Sequence, residues 1–318
     1  MFQGPILAAG APPVTPAAFR ERLRAETGSG YAAFRKSLTP HFGRVWLDLA
    51  LGYLALAGVL VAVGQVSGIL TGLAAATLGA VVVGYLVAYL QLFIHEAAHG
   101  NLASTRAAND RIADWLICWQ VGTSIAAYRA NHGEHHRHLG RDGDTEISYR
   151  NALTPAFIAS MLTGLHAVRV FTQRKTSGRA AAADREPLLR GVAVHAVVLT
   201  VLLMLGAWPA ALAWCGGIAV AFPFFATLRQ LLEHRPTSTM LDEGDAVTRL
   251  FGDSLLARTF GGAGFNRHLL HHLEPQVSYT RLEELEDYLM MTSLRPYLDA
   301  RRSTYLDTFA ELLNERRA

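Results

Sequence analysis

The sequence predicts an all-α membrane protein, with four transmembrane helices in two hairpins and a cytosolic helical cap. The chain has 318 residues, 51% of them hydrophobic, and a mean hydropathy of +0.21. Two long stretches, residues 49–94 and 192–228, contain no Lys, Arg, Asp or Glu. Uncharged stretches of this length are typical of membrane spans and not of a soluble enzyme.

Each uncharged stretch is too long for one span and contains a turn signal near its middle. Gly64 and Gly68 flank the break in the first stretch, and Gly206 and Pro209 flank the break in the second. Because Gly and Pro interrupt helices, each stretch is predicted to form a hairpin of two spans. The predicted spans cover residues 47–64, 69–94, 192–206 and 210–228.

The distribution of charge predicts the orientation of these spans. Both hairpin turns lack charge, whereas the N-terminal arm and the segment between the hairpins are rich in arginine. Positively charged loops stay in the cytoplasm, so both termini and the central segment are predicted to be cytoplasmic. The membrane is expected to be a bacterial inner membrane.

The chain is therefore divided into five predicted segments. They are an N-terminal cytosolic arm (1–46), a first hairpin (47–94), a cytosolic or interfacial segment (95–190), a second hairpin (191–228) and a C-terminal cytosolic segment (229–318). Within the central segment, residues 111–129 and 152–170 suit helices at the membrane surface, and buried cytosolic helices are the alternative. After Pro275 the pattern of Leu282, Leu285 and Leu289 predicts the helical cap.

Composition argues against two classes of site. The net charge is only +3, and no run of basic residues is interleaved with aromatic ones, so nothing indicates a nucleic-acid partner. Only Cys118 and Cys215 are present, which leaves neither a disulfide framework nor a cysteine zinc site.

Nine of the 13 histidines form a spaced pattern. Two lie four positions apart, two groups repeat the spacing i, i+3, i+4, and one histidine stands alone. On a helix these spacings direct the side chains of a group to one face, and the predicted topology brings all groups to the cytoplasmic side. The nine candidate metal ligands are His95, His99, His132, His135, His136, His234, His268, His271 and His272.

The other four histidines are predicted to be ordinary surface or core residues. They are His41, His138, His166 and His195. His138 follows the second group closely, but its helical angle differs from those of His132 and His136.

The number of candidate ligands indicates which metal they hold. A structural zinc ion is closed by four ligands and a catalytic one uses three, so nine imidazoles exceed the need of one zinc ion. Two ions of higher coordination number would use them, and iron accepts imidazole and is redox-active. The sequence therefore predicts two non-haem iron ions.

Two alternatives come from other functional classes. His95, Glu96 and His99 also match the metalloprotease motif in which two histidines bind zinc and the glutamate is the base. That interpretation leaves seven histidines unexplained, and its third ligand would come from residues 241–244. A metal or haem transporter would place ionisable residues at the bilayer midplane, whereas only His195 lies inside a predicted span.

In these histidine groups the chain resembles the membrane fatty acid desaturase superfamily, which has three histidine boxes around four spans. The resemblance extends from about Asp48 to Leu289, and the third box includes the Pro275 that usually follows the histidines. His234 matches a separate histidine of the family. Gln230 stands where some desaturases have an asparagine that reaches the metal through water, which implies a water-mediated contact.

The resemblance implies an O2-dependent oxidoreductase that desaturates a fatty acyl chain with two iron ions. A hydroxylase, ketolase or other oxygenase on the same frame, acting on an alkane, a carotenoid or a small lipophilic substrate, is the nearest alternative. No fused haem domain or dinucleotide fingerprint is visible, so electrons are expected from a separate ferredoxin or small haem cytochrome with its reductase. The expected partners are thus this carrier, a lipophilic acyl substrate and membrane lipid.

Overall fold

The computed structural model describes residues 16–176, 185–237 and 246–314, which contain helices and no strand. Parts of the predicted segments 1–46, 95–190 and 229–318 lie outside these ranges, including residues 241–244. The helices are α1 (Pro16–Thr27), α2 (Gly30–Ser37), α3 (Phe42–Gly64), α4 (Ile69–Ala98), α5 (Arg106–Leu116), α6 (Ile125–His138), α7 (Pro155–Leu162), α8 (Leu165–Thr176), α9 (Arg185–Met204), α10 (Trp208–Gly216), α11 (Phe222–His234), α12 (Leu255–Phe260), α13 (His268–Leu273), α14 (Leu282–Met290), α15 (Arg295–Asp299) and α16 (Tyr305–Asn314).

Within the described ranges, four helical segments are long and apolar enough to cross a membrane. They are Phe42–Gly64, Ile69–Ala98, Arg185–Met204 and Trp208–His234. The predicted breaks are confirmed, because α3 ends at Gly64, α4 begins at Ile69, and α9 and α10 are separated at Gly206. The helices extend beyond the ends of the uncharged stretches, since a helix can continue into charged residues at the membrane surface. His95 and His234 therefore lie on the last turns of their helices.

The chain forms two compact units. The span unit comprises Phe42–Glu134 and Leu153–Arg229. The terminal unit comprises Met1–His41, His135–Ala152 and Gln230–Ala318. The chain passes from one unit to the other within α6 and within α11.

Close packing in the span unit depends on small residues along α4. A Cβ atom added to Gly84 would overlap the Ala221 Cβ atom and would lie 2.6 Å from the Phe222 backbone nitrogen. The partner backbone there is the π-helical turn Gly217–Ala221, which joins α10 to α11 in the fourth span. Only glycine allows this approach of the two backbones.

The spans carry many exposed apolar side chains. Leu54, Ile69, Leu70 and Val197 are each more than 60% exposed within the structure. Apolar surface of this extent is costly in water and favourable against lipid tails. The exposure fits helices that face a bilayer.

The terminal unit has a hydrophobic core of its own. Leu282, Leu285, Leu289 and Leu294 are at most 1% exposed and pack with residues of α1, α2 and α13. The leucine repeat from which a helical cap was predicted thus forms the buried face of α14, and Leu294 is buried just after this helix ends.

The two stretches considered for surface helices are each divided. In the first, α5 ends at Leu116 and α6 begins only at Ile125, with a short 3₁₀ turn between them. In the second, Gly164 adopts a φ of +73° between α7 and α8. Capping explains where α7 begins, because the Thr154 hydroxyl accepts a hydrogen bond from the Phe157 backbone nitrogen.

Candidate metal centre

Three predicted ligands meet in the span unit. His95 and His99 lie at the end of α4, and His132 lies on α6. The His132 and His99 Nε2 atoms are 3.2 Å apart, and the His95 and His132 ring centroids are 4.4 Å apart. Ring nitrogens of the three residues all lie within 4.8 Å of one another.

Arg129 fixes the end of α4 next to these rings. Its Nε atom donates to the Ala98 carbonyl oxygen at 2.9 Å, and its Nη2 atom donates to the Ala97 carbonyl oxygen at 3.2 Å. The same guanidinium forms a salt bridge with Asp110 at 2.5 Å. Arg129 precedes His132 by three residues on α6. Its hydrogen bonds to the end of α4 therefore hold α6, which carries His132, next to α4, which carries His95.

The other six predicted ligands meet in the terminal unit. The His268 Nε2 atom is 2.9 Å from the His234 Nε2 atom and 3.1 Å from the His272 Nε2 atom. The His271 and His136 Nε2 atoms are 2.9 Å apart. His135 completes the set, since its ring centroid is 5.3 Å from that of His272.

Two of these rings are oriented by acceptors at their Nδ1 atoms. The His135 Nδ1 atom donates to Asp144 Oδ1 at 2.8 Å, and the Tyr149 hydroxyl donates to Asp144 Oδ2 at 2.5 Å. The His234 Nδ1 atom donates to the Val247 carbonyl oxygen at 3.0 Å. In both rings the lone pair is then on Nε2, the atom that faces the other histidines.

Burial and neighbouring charges control protonation of the rings. Burial, the His132 ring and the Arg129 guanidinium lower the pKa of His99 to about 3. Burial and the rings of its neighbours also lower the pKa of His272 well below its usual value. Both rings are therefore neutral near pH 7, which is the form that binds a metal.

His135 is different because carboxylates surround it. Burial acts to lower its pKa, but Glu146 and Asp144 outweigh that effect and raise the pKa above its usual value. A carboxylate at the far nitrogen makes an imidazole a more basic ligand.

The donor sets fit metal ions. For a metal–nitrogen bond of about 2.1 Å, two ligands at right angles have nitrogen atoms about 3.0 Å apart. The four Nε2 pairs are separated by 2.9–3.2 Å. Within each unit, histidine rings thus converge at distances that a shared ion would require.

Gln230 contacts a carboxylate of the terminal unit. Its Nε2 atom donates to Glu146 Oε2 at 2.9 Å, and Glu146 is one of the groups that raise the pKa of His135. Its water-mediated contact with a metal remains a prediction.

The sequence interpretation missed several residues that orient the histidines. No helical spacing links Asp144 or Val247 to a histidine. Arg129 lies three residues before His132, but its contacts with Ala97 and Ala98 are distant in sequence and carry no signal there. Glu233 is adjacent to His234 and was not considered as a separate candidate. The Glu233 Oε2 atom is 4.0 Å from the His268 Nε2 atom. With His234 these residues form one metal-sized group, meaning a set of residues whose potential ligand atoms all lie within 4.8 Å of one another. The sequence signal for Asp144 was only its place, as an acidic residue in the turn that follows the second histidine group.

The remaining histidines have other surroundings. The His195 Nε2 atom donates to the Gln120 carbonyl oxygen, and its Nδ1 atom accepts from Trp214 Nε1. His166 packs edge-on against Phe157. Among the described residues, the metal-sized groups include none of the four histidines predicted to be ordinary.

Comparison with known proteins agrees with these features. The family model described as Fatty acid desaturase matches residues 71–305, a range that contains all nine predicted ligands. The chain belongs to the fatty acid desaturase family. No curated protein and no solved structure matches it.

Membership of the fatty acid desaturase family makes the chain an oxidoreductase of the desaturase and hydroxylase superfamily. The match includes His95, Glu96 and His99, so this motif occurs inside a desaturase-family sequence. The structure also groups His95 and His99 with a third histidine, His132. Both findings favour the first histidine box over a metalloprotease site.

Proposed function

We propose that the protein is a membrane-bound non-haem di-iron desaturase that introduces a double bond into a fatty acyl chain. The observation that carries this proposal is the convergence of buried histidines within a chain of the fatty acid desaturase family. Four helices of membrane-spanning length support a lipophilic substrate.

The proposed iron ligands are the nine histidines of the two units. His95, His99 and His132 come from the span unit, and the other six come from the terminal unit. Nine imidazoles suit two iron ions and exceed what one zinc ion uses. Neutral nitrogen donors leave the centre strongly positive, which favours binding of oxygen.

When bound, the irons would supply the redox chemistry by which O2 breaks an unactivated C–H bond. The chain holds the ligand rings in a fixed tautomer, through Asp144 for His135 and through Val247 for His234. It also keeps water away, because His95, His132 and His135 are at most 3% exposed. Exclusion of water prevents the loss of a reactive oxidant in side reactions.

The overall reaction fixes what the partners must provide. Desaturation converts –CH2–CH2– to –CH=CH– while O2 takes up the two hydrogens, two electrons and two protons, and forms two water molecules. A separate ferredoxin or small haem cytochrome, with its reductase, would supply the electrons.

Hydroxylation is the second candidate reaction. It consumes the same oxygen, electrons and protons but leaves an alcohol and one water molecule. The second histidine box has two residues between its first histidines, which favours the desaturase side of the superfamily over alkane hydroxylases.

Product analysis tests the proposal. Lipids from cells that express the protein should contain acyl chains two hydrogens lighter than those of control cells, as measured by mass spectrometry. His271→Ala should abolish this product, whereas His138→Ala should retain it, since His138 is outside the metal-sized groups. A new alcohol or ketone in place of a double bond would support the oxygenase, and no new product would count against both reactions.

A further inference from the structure

A buried carboxylate next to the third histidine box binds the N-terminal helices. Glu274 directly follows α13 and is 0% exposed. Its Oε1 atom accepts from Arg20 Nε at 2.9 Å and from the Tyr31 hydroxyl at 3.0 Å. Its Oε2 atom accepts from Arg35 Nε at 2.6 Å and from Arg20 Nη2 at 3.1 Å. Four hydrogen bonds thus hold one side chain.

All of these donors come from the far end of the chain. Arg20 lies on α1, and Tyr31 and Arg35 lie on α2, between 239 and 254 positions from Glu274. The Glu274 backbone nitrogen donates to the Leu270 carbonyl oxygen at 2.9 Å. Glu274 therefore still belongs to the hydrogen-bond pattern of α13. The hydrogen bonds of its side chain consequently restrain the orientation of that helix.

Helix α13 needs such anchors because it has only six residues. A helix this short is not stable by itself, so tertiary contacts must define its orientation. At its start, the Leu269 backbone nitrogen donates to the Arg249 carbonyl oxygen at 3.0 Å. At its end, the corresponding anchor is Glu274.

The ionic character of this anchor has a physical reason. A carboxylate removed from water is costly unless charged and hydrogen-bonding partners surround it. Two guanidinium groups and a phenol meet that need, and burial together with Glu274 raises the pKa of Tyr31. The bidentate geometry of Arg20 also restricts the direction of the carboxylate more than an apolar contact would.

We infer that Glu274 is a positioning residue for the metal centre, and that Arg20, Tyr31 and Arg35 act through it. The contact fixes the orientation of α13, which carries His268, His271 and His272. Helices α1 and α2 then have two roles: they cover the hydrophobic core, and they orient the helix that carries three histidines of the cluster. The inference rests on the proposed function only for the statement that these histidines bind metal.

The first test is metal binding by the purified full-length protein in detergent, with Co(II) as the probe. Glu274→Gln and Arg35→Gln should each weaken Co(II) binding by about tenfold or more and change its visible absorption bands. Arg35→Lys should restore much of the affinity, since it keeps the charge and one donor. Tyr31→Phe removes one hydrogen bond and should have a smaller effect.

Two control variants separate positioning from general loss of stability. Arg22 is on α1 but donates to Ser293, so Arg22→Gln should leave Co(II) binding unchanged. Phe34 stacks on Tyr288 at 4.2 Å, so Phe34→Leu should lower the melting temperature without altering the Co(II) absorption bands.

Hydrogen exchange of the metal-free protein provides a second measurement. Glu274→Gln should speed amide exchange in residues 268–274, and Arg22→Gln should not. Unchanged affinity and unchanged exchange in Glu274→Gln would overturn the inference, as would a Phe34→Leu variant that loses as much affinity as Glu274→Gln. If Glu274→Gln does not fold, the comparison of Arg35→Gln with Arg35→Lys decides the question. A parent protein that binds only one zinc ion would contradict the proposed function, while the exchange measurement would still test Glu274.

Discussion

At the scale of single residues, the proposed ligands differ in how the chain supports them. Asp144 and the Val247 carbonyl oxygen each accept a hydrogen bond from the Nδ1 atom of a histidine and leave Nε2 available. Such outer partners commonly change metal affinity or activity by about 10- to 100-fold when they are removed. Direct ligands and supporting residues should therefore respond differently to substitution.

His234 and Gln230 allow this difference to be measured on one helix. They lie four positions apart and share a face of α11. His234→Ala should lose iron and activity together, because it removes a proposed direct ligand. Gln230→Ala should keep its iron with turnover reduced by roughly tenfold, because Gln230 reaches the cluster through Glu146.

Iron content by elemental analysis and turnover by product formation check this pair. His138→Ala is the matched control for removal of a histidine outside the metal-sized groups. Full iron content and full activity in His234→Ala would reduce the proposed ligand set to eight.

At the scale of helices, the close contact between α4 and the fourth span determines how tightly the span unit packs. Gly84→Ala should lower the free energy of unfolding by about 1–3 kcal/mol, because its Cβ atom would clash with backbone atoms of Ala221 and Phe222. Gly58→Ala is the control, since the added Cβ would meet no atom within 4 Å beyond the nearby backbone of its own helix. Thermal unfolding in detergent should show a lower melting temperature for Gly84→Ala alone. Equal melting temperatures would mean that the contact relaxes without cost.

Helix positions in the spans could be predicted because a bilayer imposes a simple pattern of apolar length interrupted by Gly and Pro. The breaks at Gly64 and Gly206 follow from that pattern. The ends of the spans were less predictable, since α4 continues to Ala98 and α11 to His234 after the uncharged stretches end. The π-helical turn Gly217–Ala221 carries no signal in the sequence and depends on its packing against α4.

The histidine groups could be predicted for a similar reason, because helical spacing is local. Their supports could not, since each depends on contacts that are distant in sequence. Arg129 reaches Ala98 over 31 positions, and Arg20 reaches Glu274 over 254 positions. No periodic pattern relates such partners, so only the three-dimensional structure pairs them.

At the scale of the whole molecule, the prediction that remains is topology. Both termini and the histidine groups should lie on the cytoplasmic side, following the arginine bias and the even number of spans. Epitope tags at either terminus should be inaccessible to antibody in intact spheroplasts, whose outer membrane is removed, and accessible after the inner membrane is permeabilised. Labelling of one tag in intact spheroplasts would indicate a span too many or too few and would separate the histidine groups across the membrane.

The proposed function requires that one chain holds two iron ions in its histidine clusters. Metal analysis of the purified protein measures this number, with His138→Ala and His271→Ala analysed alongside. The parent and His138→Ala should carry close to two irons per chain, whereas His271→Ala should carry fewer, because nine imidazoles suit two ions. A parent protein with one zinc ion and no iron would rule out the di-iron centre.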